Sequence, residues 1–334
     1  MSSSSFFALE KLPDSSDTHL WADYVELRCL TDPDLMISKS DVQDYVQKRK
    51  DLRKGLNDYS DDEDSDAEDD VSQLPADIKR AARAEDLFKH LEYRAGAFAD
   101  FYPFALSKDG DLLRRRPSVT MKHKLYVFLL LSSNLGHISN LQYRGKFTEA
   151  FEIVSVAALK NYLPKDAEVH LFGTNSLNKG RYSIGQLLKR IRLLADDLGE
   201  QFVGDESEFG SHDIGDNGLD VVGWIPIHDD ARGFLLVFGQ CACSYDNWPK
   251  KQHSSSASHW RKIINFLTPP SNMIFIPFCY RHNSGKWHKE RWIDEAILMD
   301  RLRLIKLLRD GDRQTIELPY NLIDEAIEQR NGSF

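Results

Sequence analysis

The stretch Gly215-Asp216-Asn217-Gly218-Leu219-Asp220-Val221-Val222-Gly223, with Phe238-Gly239-Gln240-Cys241-Ala242-Cys243-Ser244 after it, decides the fold. Asp216-Asn217-Gly218 is a turn sequence, because Asn and Gly tolerate left-handed backbone and Asp closes local hydrogen bonds. Leu219 to Ile225 is the first strand expected after it. Phe234 to Ala242 and Met273 to Phe278 are two more, apolar on both faces like strands inside a covered sheet. Between these two, Trp260, Ile263, Ile264 and Leu267 predict a helix over 257–267, stopped by Pro269 and Pro270. Upstream, Phe147, Phe151, Val154 and Ala158 have helical spacing and predict a helix over 146–163. Leu171 and Phe172 close a short strand that ends at Gly173. A helix over 183–198 is expected from the capping box Ser183/Gln186, an apolar stripe from Ile184 to Leu198, and Gly199 at its stop. Helices alternating with buried strands imply an α/β sandwich over 141–315.

Outward from this domain the pattern is mainly helical. Helices are expected over 18–30 and 38–54, the second opened by Ser38 and Asp41 at capping-box-like spacing, and again over 77–98. The organisation read from the chain is a helical region 1–54, an acidic linker 55–75, a helical region with a basic segment 76–140, the α/β domain, and a tail 316–334. The basic segment carries Arg114, Arg115 and Arg116 in a row.

A net charge of -9 argues against a nucleic-acid partner until its location is considered. Nine acids and no Lys or Arg fall between Asp58 and Asp70, and without them the acids equal the 43 Lys and Arg. The remainder of the chain is therefore neutral overall. Like charges at that density resist packing, so 55–75 reads as a flexible linker. With 41% hydrophobic residues the chain supports a sizeable core. Leu125 to Leu131 is its longest apolar stretch, shorter than the ~20 residues a membrane helix needs. No secretory signal opens the sequence, and four cysteines do not make a disulfide scaffold, so a reducing cytoplasm is the expected location.

Gly-Asp-x-Gly-Leu-Asp followed by Gly-Gln-Cys-Ala, with Trp248 and Lys251 beyond, resembles the PD-(D/E)XK nucleases, and specifically restriction-like proteins of bacterial defence loci. The resemblance covers roughly 147–310 and implies a mixed central sheet flanked by helices. It also implies a Mg2+-dependent endonuclease, with Mn2+ as a substitute. The implied substrate is double-stranded DNA, and the implied partners are an ATPase, a second subunit or a second copy. By the same resemblance Asp220 is the main metal ligand, Gln240 stands where Glu is commoner, and the Cys241 carbonyl is a third ligand. Glu152 on the preceding helix completes the site, with Glu149 and Glu200 as alternatives. Ala242 departs from the family, which has Lys there. Lys251 takes that role by its spacing from Trp248, and Lys250 is the alternative. If neither reaches, the fold is a DNA-binding or scaffold subunit that does not cut.

The residue chemistry agrees with that resemblance. Phosphodiester cleavage needs a hard cation to neutralise phosphate charge and acidify the attacking water. Magnesium takes one or two carboxylates and accepts carbonyl oxygen. Strand alternation puts Gln240 and Ala242 on one face, and Cys241 and Cys243 on the other, packed face. Lys250, Arg261, Lys262 and Arg114 to Arg116 are candidates for phosphate contact, as is the aromatic-basic run 281–292. Each residue also has a plainer reading. Asp220 could flank a turn, Gln240 could be a buried amide bonded to backbone, and Glu152 could be a solvated helix-edge acid. Cys241, Cys243, Cys279 and His282 raise zinc, but their spacing is not a common finger pattern.

Overall fold

The computed structural model describes residues 6–55, 75–177, 179–210, 213, 215–229, 231–308 and 319–328. The acidic run Asp58–Asp70, read as a linker, lies outside the described residues, as do 316–318 and 329–334 of the tail. The chain forms two compact units. One comprises Met1–Tyr126 with Arg281–Lys286 and Ile323–Phe334, the other Val127–Tyr280 with Trp287–Leu322. No helix among the described residues is long and apolar enough to cross a membrane.

The first unit is mainly helical: α1 (Thr18–Thr31), α2 (Lys39–Gly55) and α3 (Ala76–Phe98), with α4 (Met121–Ser133) following in the chain. The capping pair at the start of α2 forms as expected, the Asp41 carboxylate accepting from the Ser38 amide and the Ser38 hydroxyl accepting from the Asp41 amide. A three-stranded antiparallel sheet of β1 (Met36–Ser38), β3 (Leu112–Arg115) and β2 (Phe104–Leu106) was not expected. Strands of three or four residues carry too little alternation to be read from sequence. Between α1 and α3 the Arg94 guanidinium, fully buried, meets Asp23 at 2.6 Å and Glu26 at 2.9 Å. The hydroxyls of Tyr102 and Tyr126 donate to Glu26, each at 2.8 Å.

The second unit holds a mixed five-stranded sheet in the order β10-β9-β7-β6-β4, flanked by helices. Its strands are β4 (Glu168–Leu171), β6 (Val221–Trp224), β7 (Leu236–Cys241), β9 (Ser271–Phe275) and β10 (Ile297–Met299). β4, β6 and β7 run antiparallel to one another, while β7, β9 and β10 are parallel. Every residue of β6 and β7 is buried, as two-sided cover requires. On one face lies α6 (Leu187–Asp197), whose Ile191 and Leu194 pack with Val222, Phe238 and Trp260. On the other lies α5 (Leu141–Tyr162), which approaches closely because β6 offers Gly223 there. A Cβ at that position would sit 3.3 Å from the side chains of Leu159 and Leu163.

Two expected elements are corrected. The Ser183/Gln186 capping box does not form: α6 starts at Leu187 with Gln186 as its cap residue, the Ser183 hydroxyl donates to the Gly180 carbonyl, and Ile184 is 77% exposed. Gly185 at φ +95 turns the chain there, which no helix accommodates. The helix over 257–267 is only α8 (Ala257–Trp260). Ile264 instead joins β8 (Ile264–Asn265), which pairs with β5 (Gln201–Phe202). A β-branched pair that finds a strand partner overrides a short helical pattern.

The buried charge pair makes a test of the first unit. Arg94→Ala leaves two carboxylates buried without their cation and should cost roughly 3–5 kcal/mol in urea unfolding. A loss under about 1 kcal/mol would mean that water reaches the pair.

Candidate active site

Asp220 sits one residue before β6, and its backbone is fixed on both sides. Its amide donates to Gly239 at 2.9 Å and its carbonyl accepts from Phe172 at 2.7 Å. The pairing Val221↔Gly239 then puts its side chain beside the end of β7. There Oδ2 accepts from the Cys241 amide and from Gln240 Nε2, both at 2.6 Å. The turn before it closes when the Asp216 carboxylate accepts from the Gly218 amide at 2.7 Å. Asn217 and Gly218 both have positive φ. A Cβ at Gly218 would lie 2.3 Å from that of Ser254, so glycine is required for space as well as for backbone.

Two further elements converge on the same point. α5 carries Glu152, whose Oε2 accepts from Asn175 Nδ2 at 2.8 Å. α7 (Trp248–Lys251) carries Lys251 and is anchored at both ends. Trp248 is fully buried, edge-on to Tyr280 at 5.0 Å. Gln252, just past the helix, donates to the carbonyls of Pro249 and Trp292 and accepts from the Asp294 amide. The result is a cavity of about 460 Å³ lined by Glu152, Asp216, Asp220, Gln240, Lys251 and both Cys241 and Cys243. The expected division of faces is thus corrected. β7 ends at Cys241, alternation stops there, and the two cysteines border the acids instead of packing away from them.

Charge in this cavity is poorly solvated. Burial pushes the Glu152 carboxyl up to about 7, opposed by the Asn175 hydrogen bond and Lys251 and reinforced by Asp216 and Glu149. Burial also pushes Asp220 well above the usual carboxylate range, with Glu152 and Asp216 adding to it and the Cys241 amide and Lys251 opposing it. Burial holds the Cys243 thiol in its neutral form.

The donor set suits a divalent cation. Gln240 Oε1 is buried with no hydrogen-bond partner, because the amide turns its nitrogen to Asp220. Reversing the amide would face oxygen to oxygen, an arrangement that a cation between them, or a proton on Asp220, makes favourable. Glu152 and Asp220 each spend one oxygen on hydrogen bonds and border the cavity. Among the described residues no three of His, Cys, Asp and Glu are grouped to hold a metal. Carboxylate and amide oxygens of the kind that line this cavity are ligands that magnesium accepts.

The candidate residues separate by position. Glu152, Asp220, Gln240, Cys241 and Lys251 share the cavity. Glu149 lies one turn earlier on α5 and accepts from the Ser176 hydroxyl. Glu200 is structural, binding Arg232 and the Leu267 amide. Lys250 is exposed and does not line the cavity, and Arg261 and Lys262 are exposed after α8. Arg115 is corrected as a phosphate contact: it is buried and donates to the Ile327 carbonyl at 2.9 Å. Arg116 donates to the Tyr102 carbonyl, and Arg114 is exposed. In the 281–292 run, Lys289 lies over the Trp292 ring at 4.6 Å. Two residues were missed, Asp216, which lines the cavity, and Asn175, which bonds Glu152 of that lining. Asp216 was read only as a turn former, although an Asp four residues before Asp220 was signal enough to consider it. Asn175 lies in a loop with no periodicity, and nothing in the sequence marks it.

The raised Glu152 carboxyl sets a pH test. Below pH 4.5 it is protonated in the folded and unfolded chain alike. Between 4.5 and about 7 only the folded carboxyl keeps its proton, so folded stability falls across that window as pH rises, by about 3 kcal/mol in all. Glu152→Gln removes the effect. In urea unfolding with chelator present, the variant's advantage over wild type should grow from pH 4.5 to about 7 and then level off. A difference that does not change with pH would mean that Glu152 is solvated in the folded chain.

Comparison with protein-family models, with curated proteins and with solved structures gave no match for this chain.

Proposed function

We propose that this chain is a metal-dependent endonuclease on a restriction-endonuclease-like fold, cutting DNA in the cytoplasm in defence against foreign DNA. The observation that carries the reading is the convergence of Glu152, Asp220, Gln240 and Lys251 on one cavity from a helix, two strand ends and a following short helix. Asp220, Glu152, the Gln240 amide oxygen and the Cys241 carbonyl would hold Mg2+ or Mn2+, which neutralises charge on the scissile phosphate and acidifies the attacking water. Lys251, which lines the cavity, would supply an ammonium to orient that water and offset charge on the phosphate. Exposed Lys250, Arg261 and Lys262 offer cations for flanking phosphates. An ATPase, a second subunit or a second copy of the chain would supply the remaining grip on DNA and the trigger for cutting.

One feature favours a second reading. Ala242, fully buried, stands where the family has its Lys, and a chain that depended on that position would bind DNA as a scaffold without cutting it. Incubation with plasmid DNA and Mg2+ or Mn2+, with and without chelator, separates the two. The nuclease gives chelator-sensitive nicks or linear product, and the scaffold gives a gel shift alone.

The variants follow from the roles. Asp220→Ala should abolish cleavage. Gln240→Glu should keep or raise activity, whereas Gln240→Leu should lose it. Lys251→Ala should lower the rate by about 10²-fold or more, and Lys250→Ala should cut nearly as wild type. Normal cutting by Gln240→Leu would leave Gln240 a structural amide. The reverse lysine pattern would move the ammonium role to Lys250.

A further inference from the structure

Asn175 follows β4 in the loop that passes over α5, and only 6% of its surface is exposed. Its carboxamide is bonded at both its oxygen and its nitrogen. Oδ1 accepts from the Leu177 amide at 2.9 Å. Nδ2 donates to the Glu149 carbonyl at 2.9 Å and to Glu152 Oε2 at 2.8 Å. These partners fix the amide's orientation. Oxygen must face the Leu177 N–H, so nitrogen must face the two acceptors, and turning the group over would break three hydrogen bonds at once. Gly173, two residues earlier with φ +113, lets the loop bend there. Its own missing Cβ would come within 3.3 Å of the Asp216 Cβ, so the loop passes close to two of the cavity's acids.

We propose that Asn175 is a positioning residue for Glu152: it engages Oε2 and thereby turns Oε1 toward the cavity. The proposal rests on the metal-binding reading above. A glutamate has three rotatable bonds, and without a partner on one oxygen its carboxylate would sample several rotamers. Asn175 removes that freedom without adding charge. A lysine or arginine in its place would pair with Glu152 and compete with a cation. A second-sphere donor on a ligating carboxylate is worth about 10- to 100-fold in metal affinity. Asn175 does not touch the reacting atoms, and its effect runs through Glu152 alone.

Mn2+ binding by the full chain, measured by calorimetry and by the loss of free-ion signal in electron paramagnetic resonance, tests this on four proteins. These are wild type, Asn175→Leu, Glu152→Gln and the double variant. Asn175→Leu should weaken Mn2+ binding about tenfold. In the Glu152→Gln background the same change should do nothing, because the group it positions is gone. Equal Mn2+ affinity in wild type and Asn175→Leu would overturn the proposal. So would an equal loss in both backgrounds, which would mark Asn175 as a support for the loop in general. A wild-type chain that binds no Mn2+ would sink the metal-binding reading and this inference with it, whereas binding without coupling sinks this inference alone. Should Asn175→Leu fail to fold, Asn175→Ser, too short to reach Glu152, takes its place in the same comparison.

Discussion

The Asp220 carboxylate accepts two hydrogen bonds from the end of β7, and it does so where burial and the neighbouring acids Glu152 and Asp216 all oppose its charge. Much of the second unit can be understood from that conflict. The hydrogen bonds require β6 and β7 to hold one register, in which Asp220 stands beside Gln240 and Cys241. A slip by one residue would turn the carboxylate into the apolar layer under α6. The turn before it must be tight, hence Asn217 and Gly218 at positive φ and a Gly218 that Ser254 leaves no room to replace.

A carboxylate destabilised by its surroundings costs folding energy, and the fold carries that cost in the layers around it. Leu159 and Leu163 press against Gly223 on one face, and the cluster of Ile191, Leu194, Phe238 and Trp260 fills the other. Lys251 reaches the lining of the cavity from a helix one turn long. Such a helix does not hold itself in place. Trp248 and Gln252 hold it, one by ring packing on Tyr280 and the other by three hydrogen bonds. The first unit follows another rule. Its buried Arg94 meets the carboxylates of Asp23 and Glu26, and two tyrosine hydroxyls donate to Glu26, so each buried charge there has a partner rather than standing in opposition. Matched charges serve a scaffold, while unmatched ones are available to a ligand.

Strands β4, β6, β7 and β9 and the helices α1, α2, α3 and α5 were legible in the sequence because each has a period or a composition that belongs to it alone, whereas β10, three residues long, was not. β6 and β7 announced themselves by continuous apolar residues, and α1, α2, α3 and α5 by repeating apolar positions that the structure bears out within a few residues. Asp220 and Gln240 were singled out by the strings Gly-Asp-x-Gly-Leu-Asp and Gly-Gln-Cys-Ala, and both are buried and line one cavity. Short elements were not legible. β1, β2 and β3 are too brief to show alternation, and the pattern over 257–267 fitted a helix until Ile264 found Phe202 across a strand pair.

What the sequence determined by itself is therefore local: the register-bearing apolar runs, the Asp-Asn-Gly turn, and the identity of the polar residues set among them. What only the tertiary structure decided is company. That Glu152 rather than Glu149 or Glu200 borders the cavity, that Lys251 rather than Lys250 does, that Arg115 turns inward, and that Cys241 and Cys243 sit beside acids all depend on which elements pack together. Asn175 is the clearest case, a loop residue whose every hydrogen bond joins it to something the sequence does not place beside it except Leu177. The physical reason is that periodicity records how a segment meets the core, whereas a site is built where segments end, and there the chain carries no repeat to read.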